Sequence, residues 1–331
     1  MDQISQAVLA ILLGVGGMGF YFFASNFLLD RVYAAETQAA DRAKKRIRPW
    51  LFVAPALLSL TFYLVYPAVD TFRRSLFNAR TEEFVGINNY VWAFTNETLR
   101  EAFRNNILWL LIVPLFSVVF GLAVAVLADK VRYESLAKAF IFMPMAISFV
   151  GASVVWRFVY AFVPPGRPQI GILNAIVTSL GGAPKGWFID VPRPWNSLFL
   201  MVVLIWIQAG FAMVLLSAAL KAVPEETVEA AKIDGANDVQ LFFRIVLPQI
   251  RSTVFVVYTT IVIIVLKVFD IVFVMTSGQF GTEVLANRMF REMFRFVNFG
   301  RGSTIAVILM VAVVPIMYIN IRRFREEELV R

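Results

Sequence analysis

The chain has 331 residues, of which 59% are hydrophobic and only 16% charged, with a mean hydropathy of +0.72. Soluble domains carry roughly a quarter charged residues and cannot bury this much apolar surface, so ordinary globular, disordered and fibrous classes are excluded and a polytopic membrane protein is indicated. There is no Cys and no His, which removes disulfides, thiol and imidazole catalysis, zinc clusters and haem axial His together; the net charge of +8 fits basic loops beside an anionic leaflet rather than nucleic acid.

A crossing helix needs about 20 mostly apolar residues. Seven stretches qualify: residues 7–29, 50–69, 106–128, 138–162, 197–220, 253–275 and 303–321. The first is Gly-rich and uncharged. Its apolar run is too long for a signal peptide and no basic segment precedes it, so it is expected to stay as a helix. The second contains Pro55 and Pro67, and the fourth carries Arg157. Lys and Arg sort the connections into two sets. Residues 31–48, 130–138, 221–251 and 322–331 hold 17 of them, against 12 in residues 70–105, 163–196 and 276–302. The richer set also has the shorter loops and is read as cytoplasmic. The N-terminus is then outside and the C-terminus cytoplasmic, which an odd number of spans requires. Residues 31–49 read as a basic linker joining one extra span (1–30) to a six-span core (50–321), with a charged tail at 322–331.

The loop at 221–251 can be parsed residue by residue. Pro224 suits a first helical position, and Glu225 and Glu226 suit the positive end of a helix dipole. Gly235 is placed to stop that helix in a left-handed cap, and Asn237 or Asp238 to start the next. Val239, Phe242, Phe243 and Val246 recur at spacings of three and four, giving an amphipathic second helix that Leu247-Pro248 ends. From chain physics alone this is equally a polar hairpin that only joins two spans.

Glu229-Ala230-Ala231, Asp234-Gly235-Ala236 and Ile245-Val246-Leu247-Pro248 resemble, in type and spacing, the EAA loop of ATP-binding-cassette importer permeases. "FVGINNYVWAF" from Phe84, "LKVFDIVFVMTSG" from Leu266 and "VPRPWNSLFLMVVLIWIQAGF" from Val191 are similar to segments of the carbohydrate-uptake branch, the last to α-glucoside permeases. Many members continue the second of these with Gly-Gly-Pro, whereas this chain reads Gly278-Gln279-Phe280. The resemblance implies an all-α type I importer core with an added N-terminal span in a bacterial or archaeal cell membrane. It also implies that two short helices sit in a cleft of a separate ATPase subunit. Glu229 would face basic residues there, Gly235 would let the two helices pack closely, and Ala230, Ala231, Asp234, Ile245, Leu247 and Pro248 would complete the coupling element. The other implied partners are a second permease, usually a sister chain, and an extracytoplasmic solute-binding protein. No cofactor is expected in this chain, because it lacks Gly-x4-Gly-Lys-Ser/Thr; ATP and Mg belong to the partner ATPase.

Polar groups at membrane depth usually face a cavity or a partner. Gln208 lies mid-span beside Trp206 and Phe211, a combination suited to sugar hydroxyls and C–H faces. Lys267 and Asp270 are three apart on one predicted helix face and read either as a structural pair near the outer interface or as part of a substrate path. Arg157 reads as a snorkelling residue. Trp92, Trp187 and Trp195 are interfacial anchors or a docking surface for a binding protein. The expected activity is import of a di- or oligosaccharide by alternating access. The alternatives are the same machine with another small polar solute, or an ion-coupled carrier; the latter needs coupling carboxylates mid-span, and only Asp270 comes near. A membrane enzyme lacks a plausible site.

Overall fold

In lipid, a single crossing segment can close its backbone hydrogen bonds only as a helix. The computed structural model is helical throughout its regular elements; among the described residues the sole β contact is one bridge, Phe77 to Phe84. It describes residues 3–34, 37–129 and 131–330, with the side chains of residue 3 and of 323–330 excepted, so Lys130 and most of the charged tail read from the sequence lie outside the described side chains. Two compact units result, Met1–Asp70 and Thr71–Arg331.

The first unit is a helical hairpin of α1 (Gln3–Val32) and the first part of α2 (Gln38–Ser75). Thr37 caps α2 by accepting from the Ala40 N–H at 3.3 Å. The helix then runs without a break from the expected linker into the second predicted span, carrying Pro49 and Pro55 inside it. Pro55 has no N–H for the Leu51 carbonyl, and the Tyr21 hydroxyl of α1 donates to that carbonyl at 3.0 Å. Phe22 stacks on Phe52 with centroids 5.0 Å apart, and Asp30 pairs with Lys44 and Arg48 at 3.3 Å. Before Pro67 the helix widens into a π turn, Thr61–Val65, in which the Tyr66 N–H reaches back to Thr61. That wider turn is how a helix absorbs a missing donor.

The second unit is built on α4 (Glu97–Ala128), which follows the short α3 (Asn88–Thr95), and on α8 (Leu198–Lys221). The two long helices pack backbone to backbone: a Cβ at Gly121 of α4 would stand 2.8 Å from the Met213 nitrogen and 2.9 Å from the Ala209 carbonyl. Their contacts advance in the same chain direction, from Gly121 near Ala212 to Asp129 near Ser217, so α4 and α8 run parallel. Trp109, Leu200, Leu204, Ile207, Met213 and Ile261 fill the core between them and α11 (Arg251–Leu266).

Between α4 and α8 the chain must therefore return across the bundle. It does so through α5 (Glu134–Ala146) and α6 (Phe149–Val159), which meet at 102°. The stretch expected to cross at 138–162 is thus a bent pair of helices and not one continuous helix. Pro144 tightens the end of α5 into a 3-10 turn, Met143–Ala146, and Ser148 starts α6 by accepting from the Gly151 N–H at 3.0 Å. α7 (Ile172–Ser179) lies in the following connection. The expected span 253–275 is also divided: α11 stops at Leu266, the backbone leaves helical geometry at Lys267 and Phe269, and α12 (Asp270–Met275) begins anew. Beyond α12 and α13 (Leu285–Phe290), α14 (Phe299–Val330) joins the last predicted span and the tail in one helix.

Candidate functional site

The loop leaving α8 folds as two helices, α9 (Glu225–Ile233) and α10 (Asp238–Gln249). Pro224 stands at the N-cap, one place before the first helical position expected. At the other end of α9 the Gly235 N–H bonds the Lys232 carbonyl at 3.1 Å and the Ala236 N–H bonds Ala231 at 3.0 Å, which is a Schellman closure. Gly235 has φ +85, and nothing lies within 4 Å of the place a Cβ would take. Its glycine thus serves the left-handed turn, and no other part of the chain crowds the place of its Cβ. Asn237 and Gln240 form a reciprocal capping box at 2.9 and 3.1 Å. In α10 the segment Leu241–Val246 is a π turn, with the Leu247 N–H on Phe242, just before Pro248, whose ring offers no donor. At Ile250 the chain turns 70° into α11.

Ala231 is buried between the two helices; Ile245 and Leu247 are half-buried; Glu229, Ala230, Asp234 and Pro248 are exposed. Glu229 makes no ion pair with any described residue. The helices enclose a cleft of about 460 Å³ lined by Ala231, Asp234, Gly235, Gln240, Arg244 and Ile245. Beside it, Ile233, Val239 and Phe243 stand 85, 66 and 61% exposed. The helical spacing found Val239 and Phe243, but Ile233 was missed; a large apolar residue at the last position of α9 was its only signal.

Where α4, α5 and α8 end beside this loop, Lys138 lies 2.5 Å from Asp129 and 2.5 Å from Glu134, and it also bonds Ser217. Lys221 reaches Glu134 at 2.5 Å.

Midway along the bundle, α4, α5, α6 and α8 line an apolar cavity of about 750 Å³ with Phe116, Phe120, Phe140, Met201, Trp156 and Trp206. The two indoles meet edge-on at 5.8 Å. Gln208 is buried on the same helix as Trp206, and its Oε1 has no hydrogen-bond partner. Ser117, one turn before Gly121 on α4, is buried with an equally unbonded Oγ. Phe211 is half-buried against the same core. Lys267 is exposed and lines a separate cavity of about 440 Å³ with Phe269, Met289, Phe290 and Leu309. Asp270 is half-buried at the start of α12. The helix break between them removes the shared face expected from their spacing, and no ion pair joins them.

At the end of the bundle opposite the 221–251 loop, three buried asparagines hold the segment after α12. Asn105 donates to the Gly281 and Glu283 carbonyls at 2.9 Å, Asn196 donates to the Phe280 carbonyl at 2.7 Å, and Asn106 accepts from the Leu285 N–H at 2.9 Å. They fix a tight path in which Gly278, Phe280 and Gly281 all have positive φ, at the point where the sequence departs from Gly-Gly-Pro. Glu283 is buried, bonded to Asn287 at 2.5 Å and to Arg291 at 3.0 Å. Burial pushes its carboxyl above the usual range, with Asn287 and Arg291 pulling the other way. Arg288 and Glu292 form a second inward pair at 2.5 Å. Of the tryptophans expected at the interface, Trp92 lies under the Arg301 guanidinium at 4.4 Å, Trp187 packs into the core and Trp195 is exposed.

Residues 91–325 match the family described as "Binding-protein-dependent transport system inner membrane component". The chain is 59% identical over 281 residues to the osmoprotective compounds uptake permease protein GgtC of Synechocystis sp., covering 85% of this chain and 100% of that one. It is 52% identical over 334 residues to the alpha-glucoside transport system permease protein AglF of Rhizobium meliloti, covering 99% of both. The fold matches that of a chain in the crystal structure of a bacterial ABC transporter involved in alginate import, with a TM-score of 0.72 at 21% identity over 86% of this chain and 99% of that one.

Proposed function

The chain belongs to the binding-protein-dependent transport inner membrane family, as a sugar-uptake permease of an ABC importer, and we propose that it moves an α-glucoside inward by alternating access, driven by a separate ATPase docked on the 221–251 loop. The observation that carries the coupling role is the loop's surface. Two helices that cap themselves turn Ile233, Val239 and Phe243 outward beside the acidic Glu229. An exposed apolar patch with a charged rim on a preformed element marks a partner site. In this reading the loop and the C-terminus are cytoplasmic and the N-terminus is outside. Residues 1–30 form a span added to the permease core. The ATP and Mg are held by two ATPase subunits, which requires a second permease to supply a second loop. A solute-binding protein delivers the sugar at the opposite end.

The solute path in this reading runs by the aromatic cavity, where ring faces stack on sugar C–H faces. Gln208, with its unbonded oxygen, and Phe211 lie next to it on α8. Lys267 and Asp270 flank the break beyond α11 and meet the solute nearer the opposite end. The identity to GgtC favours a second reading of the cargo, an osmoprotective solute. Uptake of labelled maltose against uptake of labelled glycine betaine separates the two.

The test of coupling is Phe243→Asp. A carboxylate placed in a buried interface core commonly costs more than 2 kcal/mol at a hot spot. Membrane levels should hold while co-purified ATPase subunit and maltose uptake fall at least about tenfold. Retention of both at wild-type levels would sink the coupling role.

A further inference from the structure

We propose that Lys138 is a positioning residue that carries displacement of the 221–251 loop into the bent pair α5–α6, and so into the aromatic cavity. The inference rests on the coupling role proposed above. α8 ends at Lys221 and α9 begins at Glu225, so any shift of the loop enters the bundle through the end of α8. At that end five polar side chains from three helices make one network. Lys138 of α5 bonds Asp129, which caps α4, and Glu134 on its own helix, both at 2.5 Å, and it bonds Ser217 of α8. Ser217 in turn donates to Asp129 at 3.2 Å, and Lys221 reaches Glu134 at 2.5 Å. Ser217 is buried and the Lys138 side chain is only 16% exposed, so water is poorly placed to replace the bond between them.

A second contact lies further along the same two helices. A Cβ at Gly210 of α8 would stand 2.6 Å from the Ile141 carbonyl and 3.0 Å from the Phe142 Cα. There the backbones touch with no side chain between them, which makes a steric pivot without directional bonds. The Lys138 network is the opposite: charge-assisted and directional, one turn earlier on α5 and, at Ser217, two turns nearer the loop on α8. Between the two points α5 is a lever. A pull on the end of α8 acts on Lys138, turns α5 about the Gly210 contact and displaces what lies on either side of that pivot. Phe140, between Lys138 and the contact, and Pro144, beyond it, both line the cavity, and the 102° bend follows Pro144. The apolar stem of Lys138 supplies packing and its ammonium supplies the linkage, so the two roles separate by substitution.

The chain has no Cys, so Phe140→Cys places one thiol at the cavity wall of the intact transporter, purified with its ATPase and binding protein. Its labelling rate by a maleimide should differ between the nucleotide-free complex and the complex trapped with ATP and vanadate. Adding Lys138→Met, which keeps the stem, should abolish that difference and lower maltose moved per ATP hydrolysed about tenfold. ATPase subunit and binding-protein-stimulated hydrolysis should be retained, and Lys138→Arg should restore the ratio. A nucleotide response that survives Lys138→Met, or an unchanged maltose-to-ATP ratio, overturns the proposal alone. Loss of the ATPase subunit along with transport in Lys138→Met, without recovery in Lys138→Arg, also overturns it, because the residue then only holds the fold. No nucleotide response with Lys138 present sinks the coupling role itself, and this inference with it.

Discussion

The 221–251 loop and the segment from Thr276 to Asn298 flank the same divided span, yet they distribute their side chains in opposite senses. The first turns Ile233, Val239 and Phe243 toward solvent. The second folds Glu283 and Glu292 inward, each with a side chain only 2% exposed, and meets them with Arg291 and Arg288. The outward apolar groups gain nothing for the fold of this chain, so their free energy is available to another molecule. The inward charges gain nothing for binding and are tolerated only because each is paired and hydrogen-bonded. Exposure against chemical type thus separates a connector with the surface expected of the proposed partner site from one that serves the fold.

Breaking an inward pair should have the largest effect on stability. Glu292→Ala strands the Arg288 guanidinium, 14% exposed, and should cost about 3–5 kcal/mol, read as a fall in the melting temperature of the purified protein. Gly235→Val should cost about 1–2 kcal/mol, because φ +85 is strained for a branched residue even with open space around it. Gly235→Asn should cost much less, and maltose uptake should follow the same order, since the turn sets the angle between α9 and α10. Equal uptake in both would show that the angle does not matter.

Glu283 should give a smaller, pH-dependent effect. Its carboxyl is raised above 4.5 in the folded chain, so the folded state holds the proton to higher pH than the unfolded state does. Its contribution is present in full below about pH 4.5 and is lost as pH rises from there through the raised folded value. Melting temperature measured across that window should therefore decline less steeply in Glu283→Gln than in the wild type. The smallest effect on stability belongs to Phe243→Asp, within about 0.5 kcal/mol as at other exposed sites. A larger loss there would mean that the outward face packs within the chain after all.

The apolar stretches were legible because each is long and the need to close backbone bonds in lipid leaves no other form. Their interruptions were only partly so. Pro144 and Ser148 do mark the 102° bend, as a missing donor followed by a cap, but an unbroken run of apolar residues outweighs them in a count of hydropathy. The stop at Lys267 has no Gly or Pro to announce it. The loop's turn was the most legible feature, because Gly235 and Asn237 act on backbone groups a few residues away. Asn105, Asn106 and Asn196 were not, because the carbonyls and amides they hold lie 84 to 179 positions distant. Separations of 79 and 88 positions likewise hid the bonds of Ser217 to Lys138 and to Asp129.

The Schellman closure and the capping box satisfy the ends of α9 and α10 from within the hairpin itself. Ordering a residue from a flexible state costs about 1–2 kcal/mol, so a loop of this length that had to fold on contact would meet a large entropic barrier each time. This hairpin is already folded before contact. Under the proposed coupling role it would leave a partner and return to it as a finished shape, and the lifetime of each contact would be set by Ile233, Val239 and Phe243 and not by the time needed to rebuild the loop.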